Sequence, residues 1–457
     1  MSTRSGRTVR DLRRENRSAV LQRLYFDGPM SRYSLGPATG LSSGGVSNVV
    51  AELIADGLVE EAGSVDNQRG RPRILVRIVP GGGHLIGVDV GETRVRVELF
   101  DLSLTELAHT DLSLARGKGR AYDVGVVVGR IHDGITEVLE TSGVDAGGLL
   151  GIGIGVPGIV DATTEGGAVV HGQTIGWDAV PLERLLRDTG RLPQQVPYFI
   201  DNGAKTLGQA EMWFGAGRGA RSAVVVLFGS GVGACVVTDD VAQGRAVEWG
   251  HLTVQVRGRR CRCGALGCLE AYAGAEALLA RWWEAGGPPS AGADEETALT
   301  DMLAAAYPDG TAPPDQVAAA VLAETAEYLG AGLSDLINLF QPERILVGGW
   351  AGLQLGPRFL DSVRTHAFAH ALRHPASRVS IELGRLGPDA VTVGAATLPL
   401  ADFFANGGRR PPTSAEPAPQ PPWGPGMDGR LAREALPRDR QDRPGRCPSG
   451  RSGRSAM

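Results

Sequence analysis

Residues 248–270 read EWGHLTVQVRGRRCRCGALGCLE and gather three of the chain's five cysteines, one histidine and two glutamates into one short stretch. His251, Cys261, Cys263 and Cys268 supply one imidazole and three thiolates, the closed nitrogen and sulfur donor set of a tetrahedral structural zinc. Disulfides fit poorly, because three cysteines cannot pair among themselves and Cys261 and Cys263 stand too close for an unstrained bridge. Gly264 and Gly267 offer the tight backbone bends that a knuckle requires. Glu248 and Glu270 flank the donors, and a carboxylate on a metal-stapled loop is well placed to accept from hydroxyl groups. The plainer alternatives are incidental buried cysteines and glutamates that are solvated surface charge.

The elements that must position these groups belong to a chain of 457 residues, long enough for two or three domains. No apolar run reaches the roughly 20 residues of a membrane span, and the charged start, Met1-Ser2-Thr3-Arg4, lacks a signal peptide's apolar core. No membrane partner is expected. Few cysteines, most of them in the metal stretch, fit a reducing cytoplasm. The formal charge of −5 is uneven: residues 1–80 hold 12 Arg against 8 Asp plus Glu, residues 401–457 hold 10 Arg against 6, and the acidic excess lies between. A basic head on an acidic body places any nucleic-acid contact at the N-terminus.

Residues Val9 to Asp27 carry Leu12, Ala19, Val20, Leu21, Leu24 and Phe26 at largely helical spacing, ended by Gly28-Pro29. Ser31 can cap a second helix through about Thr39, shortened or bent by Pro37. After the Gly40-Leu41 turn, Ser42 can cap a third helix to about Asp56, with Val46, Val49, Val50, Leu53 and Ile54 inward. This is helix-turn-helix spacing, in which the last helix enters the major groove. Ser42, Ser43, Ser47 and Asn48 are the candidate readers of bases or phosphates. Gly44 and Gly45 each weaken the helix by about 1 kcal/mol relative to Ala, so it is expected to order fully on DNA. Short strands at Leu58–Glu61 and Ile74–Ile78 enclose Gln68-Arg69-Gly70-Arg71-Pro72-Arg73, a basic wing suited to phosphates or a minor groove. Arg32, Arg69, Arg71 and Arg73 complete the expected DNA-contact set.

Glu248-Trp249-Gly250-His251 followed by Cys261-Arg262-Cys263-Gly264-Ala265-Leu266-Gly267-Cys268-Leu269-Glu270 resembles the signature of the ROK family (repressors, open reading frames, sugar kinases). The resemblance implies that Glu248, His251 and Glu270 bond sugar hydroxyls while His251 and the cysteines hold zinc. Ser31-Arg32, Thr39-Gly40-Leu41-Ser42, Gly57-Leu58-Val59 and Gly70-Arg71-Pro72 are similar to the winged-helix head of ROK-type repressors. Beyond a short Pro80–Gly83 linker, Asp89-Val90-Gly91-Glu92-Thr93 resembles the first phosphate loop of the actin-like sugar-kinase superfold, although Glu92 replaces a small residue and would repel phosphates. Phe228-Gly229-Ser230-Gly231-Val232-Gly233 resembles the second phosphate loop, and Ile345-Leu346-Val347-Gly348-Gly349 the adenosine-side turn. Asp89, Gly91, Thr93, Ser230, Gly231 and Gly233 are thus nucleotide-like positions, equally explicable as retained turns of the scaffold. The apolar strand Leu150–Val156 delivers Gly155-Val156-Pro157-Gly158 to the sugar border, and Gly176-Trp177 matches the loop closing over it; Trp177 suits stacking on a pyranose or plain packing equally.

Asp201-Asn202-Gly203-Ala204-Lys205-Thr206-Leu207-Gly208-Gln209-Ala210-Glu211 runs in register with the family's catalytic stretch. By that resemblance Asn202 binds sugar, Gly203 replaces the aspartate that acts as general base, and Lys205 replaces an asparagine. Losing a positioned base typically costs about 10²- to 10⁴-fold in rate. Asp201 does not substitute, because a one-residue shift in an extended segment turns the side chain to the opposite face.

The expected fold is α/β: a winged helix-turn-helix over residues 8–80, a two-lobed, actin-like (RNase H-like) ROK sugar-kinase body with a zinc knuckle over 84–400, and a disordered Pro/Arg-rich tail over 402–457 with a free Cys447. The expected function is a sugar-responsive DNA-binding repressor without catalysis. Zinc is the expected cofactor and ATP is not; a palindromic operator, a small sugar and a second copy (dimer or tetramer) are the expected partners. The alternatives are an ATP-dependent sugar kinase with an added DNA-binding head, and a zinc-stabilised scaffold blind to sugars.

Overall fold

A computed structural model describes residues 8–67, 70–114, 121–162, 166–238, 244–288, 294–308 and 313–409. The N-terminal segment opens with α1 (Val9–Asp27), whose Thr8 and Asp11 form a capping box that satisfies its first free N–H groups. After β1 (Met30–Ser31), Ser31 caps α2 (Arg32–Thr39), which accommodates Pro37 without ending and stops at Gly40 in the left-handed conformation. Ser42 caps α3 (Ser43–Ala55), accepting from the Gly45 N–H.

Helix α3 runs unbroken through Gly44 and Gly45. The cap and the buried stripe of Val46, Val49, Val50 and Leu53 offset the two glycines. Ile54, expected inward, lies at the rim of that stripe and is 36% exposed. The wing strands are longer than expected: β2 (Val59–Asn67) pairs antiparallel with β3 (Gly70–Ile78), and β1 adds to the far side of β3.

The body holds two sheets of the same topology. The first contains β4 (His84–Val90), β5 (Arg94–Asp101), β6 (Glu106–Ser113), β7 (Leu149–Val156) and β11 (Tyr198–Asn202), in the order β11-β7-β4-β5-β6. Helix α4 (Val124–Ser142) packs on it; a small sheet of β8 (Ile159–Asp161), β9 (Val169–Gly172) and β10 (Trp177–Val180), with α5 (Leu182–Asp188), lies between β7 and β11 in sequence. Helix α6 (Gly203–Trp213) follows β11 directly.

The second sheet holds β12 (Ala223–Phe228), β13 (Val232–Val237), β14 (Arg245–Val247), β15 (Arg344–Gly348) and β16 (Ser380–Leu383), in the order β14-β13-β12-β15-β16. In each sheet three antiparallel strands are followed by two parallel ones, the repeated lobe expected of an actin-like fold. The second sheet carries α7 (Glu270–Ala273), α8 (Ala275–Glu284), α9 (Glu295–Ala306), α10 (Gln316–Phe340), α11 (Trp350–His370) and α12 (Arg373–Ala376).

Helix α13 (Ala390–Ala405) returns from the second sheet and lies on β4, β7 and α6 of the first. Two glycines allow the approach: a Cβ on Gly153 of β7 would stand 1.8 Å from the Ala395 carbonyl oxygen, and one on Gly394 would stand 1.9 Å from that of Thr206.

Pro80–Gly82 forms a single 3₁₀ turn, and the head continues the core of the body across it. Val20, Leu21, Leu24, Phe26 and Leu58 pack in one cluster with Leu85, Phe100, Leu150, Trp213, Leu400, Phe403 and Phe404. The tail boundary expected at residue 402 is too early. Helix α13 runs through Ala405, Phe403 and Phe404 are buried, and Arg17 Nε donates to the Gly407 carbonyl at 2.7 Å. Residues 410–457, including Cys447, lie outside the described residues.

Candidate ligand cavity and metal centre

The metal stretch is built as a compact loop. Trp249 is buried and its indole N–H donates to the Gly332 carbonyl of α10 at 2.9 Å, anchoring Glu248 and His251. Short bridges pair Thr253 with Cys268 and Arg260 with Leu266. Gly264 and Gly267 adopt φ of 96° and 77°, and a Cβ on Gly267 would stand 1.7 Å from the Gln255 carbonyl oxygen, so the two bends expected of these glycines are present. Tyr272 stacks on Tyr328 with centroids 4.1 Å apart, and its hydroxyl accepts from the Arg259 N–H at 2.6 Å.

The ligand atoms of His251, Cys261, Cys263 and Cys268 all lie within 4.8 Å of one another. Cys261 Sγ is 3.7 Å from His251 Nδ1, and Cys263 Sγ is 3.8 Å from Cys268 Sγ. Zinc–sulfur bonds of about 2.3 Å in a tetrahedron separate two sulfurs by about 3.8 Å, so the donor set fits the ion in chemistry and in spacing. His251 turns its other nitrogen, Nε2, toward Glu248 at 3.9 Å. Burial pushes the Cys261 and Cys268 thiols up, so these two hold their protons at neutral pH until a metal displaces them.

A cavity of about 870 Å³ opens between the two sheets. Its wall includes Asn202, Gly203, Glu248, His251 and Glu270, together with Asp89, Gly91, Thr93, Ser230, Gly231 and Gly233. The residues expected to meet a sugar and those at nucleotide-like positions thus border one space. Asn202 caps α6, its Oδ1 accepting from the Ala204 and Lys205 N–H groups, while its Nδ2 donates to the Gly158 carbonyl at 2.7 Å. Asp201, outside the wall, forms an ion pair with Lys205 at 2.5 Å. At Gly203 an added Cβ would find Leu227 Cδ2 at 3.6 Å as its nearest neighbour, so the missing side chain is not a packing necessity.

Charge in the cavity is strongly negative among the described residues. Asp89, Glu92, Asp178, Glu248, Glu270 and Glu296 line it, against Arg94 and Arg262. Arg262 is gripped from several sides. Its Nε and Nη2 donate to the two Glu270 oxygens at 2.8 and 3.0 Å, and its Nη1 bonds Glu92 across the cleft and reaches Glu276 at 3.5 Å. Burial alone would raise the Glu270 carboxyl, but the Arg262 guanidinium outweighs it and holds the group below its ordinary value. A second bridge across the cleft joins Arg94 of β5 to Glu296 of α9 at 2.8 Å. On the phosphate-loop side the Ser230 hydroxyl donates to Glu295, and the Trp350 indole lies against Gly229, where an added Cβ would stand 3.2 Å from Nε1.

Burial pushes the Asp89 carboxyl up to about 7, with Arg94 pulling the other way, Asp389 and Glu98 adding to the rise and Arg96 opposing it. The carboxyl is half-buried where it borders the cavity, so water there softens the rise without reversing it. A group that binds its proton more tightly when folded contributes stability at low pH that is lost as pH rises from about 4 to about 7. Asp89→Asn is therefore expected to flatten that decline and to raise the melting temperature at pH 8. Parallel melting curves from pH 5 to 8 check this; an unchanged slope would contradict the assignment.

The ROK family profile matches residues 85–401. This chain belongs to the ROK family. It is 27% identical over 396 residues to a putative xylose repressor of Caldicellulosiruptor sp. (strain Rt8B.4), covering 85% of this chain and 96% of that one. It is 30% identical over 322 residues to a glucokinase of Halalkalibacterium halodurans, covering 68% of this chain and 92% of that one. In fold it resembles the crystal structure of a ROK family transcriptional regulator, a homologue of the E. coli MLC protein, with TM-score 0.66, 24% identity, and coverage of 87% and 98%.

Within the ROK body two expectations need correction, and the choice left open at Trp177 falls to packing. Glu270 does not present a free carboxylate to the cavity, because Arg262 and the Val232 N–H occupy both of its oxygens. Glu92 is not a lone repulsive charge, being paired with Arg262. Trp177 is core: it is 3% exposed and its indole N–H donates to the Tyr122 carbonyl at 3.0 Å. The sequence reading missed Arg262, whose place between two metal-site cysteines gives no sign of where its guanidinium points. It also missed Trp350 and the Arg94–Glu296 bridge, which join residues far apart in the chain.

The second group of candidate contacts lies on the head. Ser42, Ser43, Ser47 and Asn48 are all exposed along the start of α3, although the Ser42 hydroxyl is spent on its cap. Arg32 pairs with Glu61 at 3.4 Å, and the Arg73 guanidinium stacks 4.0 Å over the Tyr33 ring. Arg69 and the side chain of Arg71 lie outside the described residues.

Proposed function

We propose that the chain is a sugar-responsive transcriptional repressor whose winged helix-turn-helix head reads operator DNA and whose ROK body binds a small sugar. The observation that carries this reading is the extent of the xylose-repressor likeness. An alignment covering 85% of the chain does not fit between residue 85 and the C-terminus, so it takes in part of the head. The exposed polar start of α3, beside a wing rich in arginine, supports base and phosphate contacts. Asn202, Glu248 and His251 are the sugar contacts, with Glu270 acting through Arg262.

A structural zinc would be held by His251, Cys261, Cys263 and Cys268, where it would fasten the loop that carries Glu248 and Glu270. No membrane role is proposed: among the described residues no helix is long and apolar enough to cross a membrane. A DNA reader of this kind works in the cytoplasm as a symmetric dimer or tetramer on a palindromic operator. Leu339, Phe340, Phe368 and Leu372, exposed at the ends of α10 and α11, are a candidate surface for a second copy.

The glucokinase likeness favours a second reading, phosphoryl transfer from ATP to the sugar. Against it stand Gly203 in place of the base, the acidic cavity, which repels a triphosphate, and Trp350 beside the second phosphate loop. Duplex DNA selected from a random-sequence pool, titrated with the full chain with and without D-xylose, D-glucose and N-acetylglucosamine, tests both readings. One sugar should change DNA affinity about 5- to 150-fold, and a coupled ATP assay should stay at background. Gly203→Asp should still fold, since a Cβ has room there. Turnover by the unmodified chain, or failure to select any DNA, would overturn the repressor reading.

A further inference from the structure

Arg17 is a charged side chain with 1% exposure, in α1 of the head. Its guanidinium reaches three acceptors on two elements: Nε donates to the Gly407 carbonyl beyond α13 at 2.7 Å, Nη2 bonds Asp56 at the end of α3 at 2.7 Å, and Nη1 reaches Glu52 of α3 at 3.4 Å. Glu52 also takes Arg13 at 2.9 Å. The packing around this point has no slack. A Cβ on Gly407 would stand 2.9 Å from the Arg14 carbonyl oxygen, and one on Gly408 would stand 2.6 Å from Leu58 Cδ1 and 2.8 Å from Leu21 Cδ1.

The other end of α13 belongs to the ligand site. Val391 lines the cavity, and Gly394 lies on α6, whose first residue is Gly203 of the cavity wall. One helix therefore touches the cavity at its start and meets Arg17 just past its end. Two buried polar atoms near this junction, Tyr25 Oη and Trp213 Nε1, meet no hydrogen-bond partner among the described residues.

We propose that Arg17 is a positioning residue that indexes the DNA-reading helix α3 to the ligand body through Gly407, so that movement of α13 at the cavity is passed to α3. This rests on the repressor reading above. It requires that the sugar bind two placements of α13 with different affinity, as any coupling between sites must. Arginine suits the post because a planar fork can hold three acceptors in fixed directions, which a lysine ammonium cannot reproduce.

The test uses the full chain, Arg17→Met, Arg17→Lys and the double variant Glu52→Gln/Asp56→Asn. Selected duplex DNA is the probe, and the sugar is whichever of D-xylose, D-glucose or N-acetylglucosamine raises the wild-type melting temperature most. In Arg17→Met the ratio of DNA affinities without and with sugar should fall from about 5- to 150-fold to below about twofold. The melting shift given by the sugar should persist, because the cavity is untouched. Arg17→Lys should not rescue the ratio. The double variant leaves Arg17 bonded to Gly407 and frees α3; it should lose the ratio equally, and it decides the matter where Arg17→Met fails to fold. A wild-type ratio in either folded variant overturns the proposal. A wild type whose DNA affinity ignores every sugar overturns the repressor reading instead; Arg17 is then judged by hydrogen exchange, which Arg17→Met must speed in α3 and leave unchanged in β12 and β15.

Discussion

Cys268→Ser is expected to empty the metal centre: zinc measured by mass spectrometry should fall from about one ion per chain to near zero after dialysis against a chelator. Three of the four donors would remain, but a hydroxyl is a poor replacement for a thiolate in a closed site. Structural zinc contributes apparent binding energies of about 10–16 kcal/mol in isolated finger peptides. Only the loop from Glu248 to Glu270 would depend on it here, because the body has large apolar clusters of its own. The variant should therefore fold yet melt earlier and lose sugar binding, since Trp249 and the short bridges alone must then hold Glu248 in place. Because burial keeps the Cys261 and Cys268 thiols protonated, loading expels protons, and zinc affinity should weaken as pH falls. Cys235→Ala, in the middle of β13 and away from the cluster, is the control and should keep its zinc. Metal-free wild type melting at the same temperature as the loaded protein would defeat the assignment.

Arg262→Met is expected to cost about 3–5 kcal/mol of stability at neutral pH, the scale on which a buried ion pair is missed when one partner is removed. The loss leaves Glu270, only 8% exposed at its side chain, with Glu92 and Glu276 nearby and no guanidinium among them. The sign with pH is distinctive. In the native protein Glu270 titrates below its ordinary value, so its contribution is present above about pH 4.5 and is lost as pH falls through the lowered pKa. In the variant burial wins, the carboxyl titrates high, and stability falls as pH rises. The gap between the two proteins should therefore be small near pH 5 and widen toward pH 7.5. Arg262→Lys should recover only part, because an ammonium cannot bond both Glu270 oxygens and Glu92 in fixed directions. Adding Glu270→Gln to Arg262→Met should restore part of the loss, as contacting residues are not additive. Denaturant unfolding at the two pH values measures all of this, and a cost below about 0.5 kcal/mol would mean the cluster is merely solvated surface.

Much of this was readable from local chemistry. Ser31 and Ser42 announce helix starts because each leaves a side-chain oxygen where free N–H groups need one, and the helices begin there. The apolar run Leu150–Val156 and the short runs flanking the arginine-rich turn marked β7 and the two wing strands. Where the reading failed, it failed on contributions from distant residues. The tail was begun at Asp402 because its composition is poor in periodicity, yet Phe403 and Phe404 find an aromatic cluster with Tyr25 and Phe26 of the head that no local window contains.

By itself the sequence determined the donor set of the metal loop, the capped helices of the head and the absence of a carboxylate at residue 203, since these depend on residue type and on spacing within a few turns of chain. Tertiary structure alone decided that Glu270 is held by Arg262, that Glu92 is neutralised across the cleft, and that Arg17 ties α1 and α3 to the end of α13. The reason is physical. A charge buried on folding must find a partner wherever the packed chain provides one, and the separations of 170 residues between Arg262 and Glu92 and of 390 between Arg17 and Gly407 leave no trace in the local pattern.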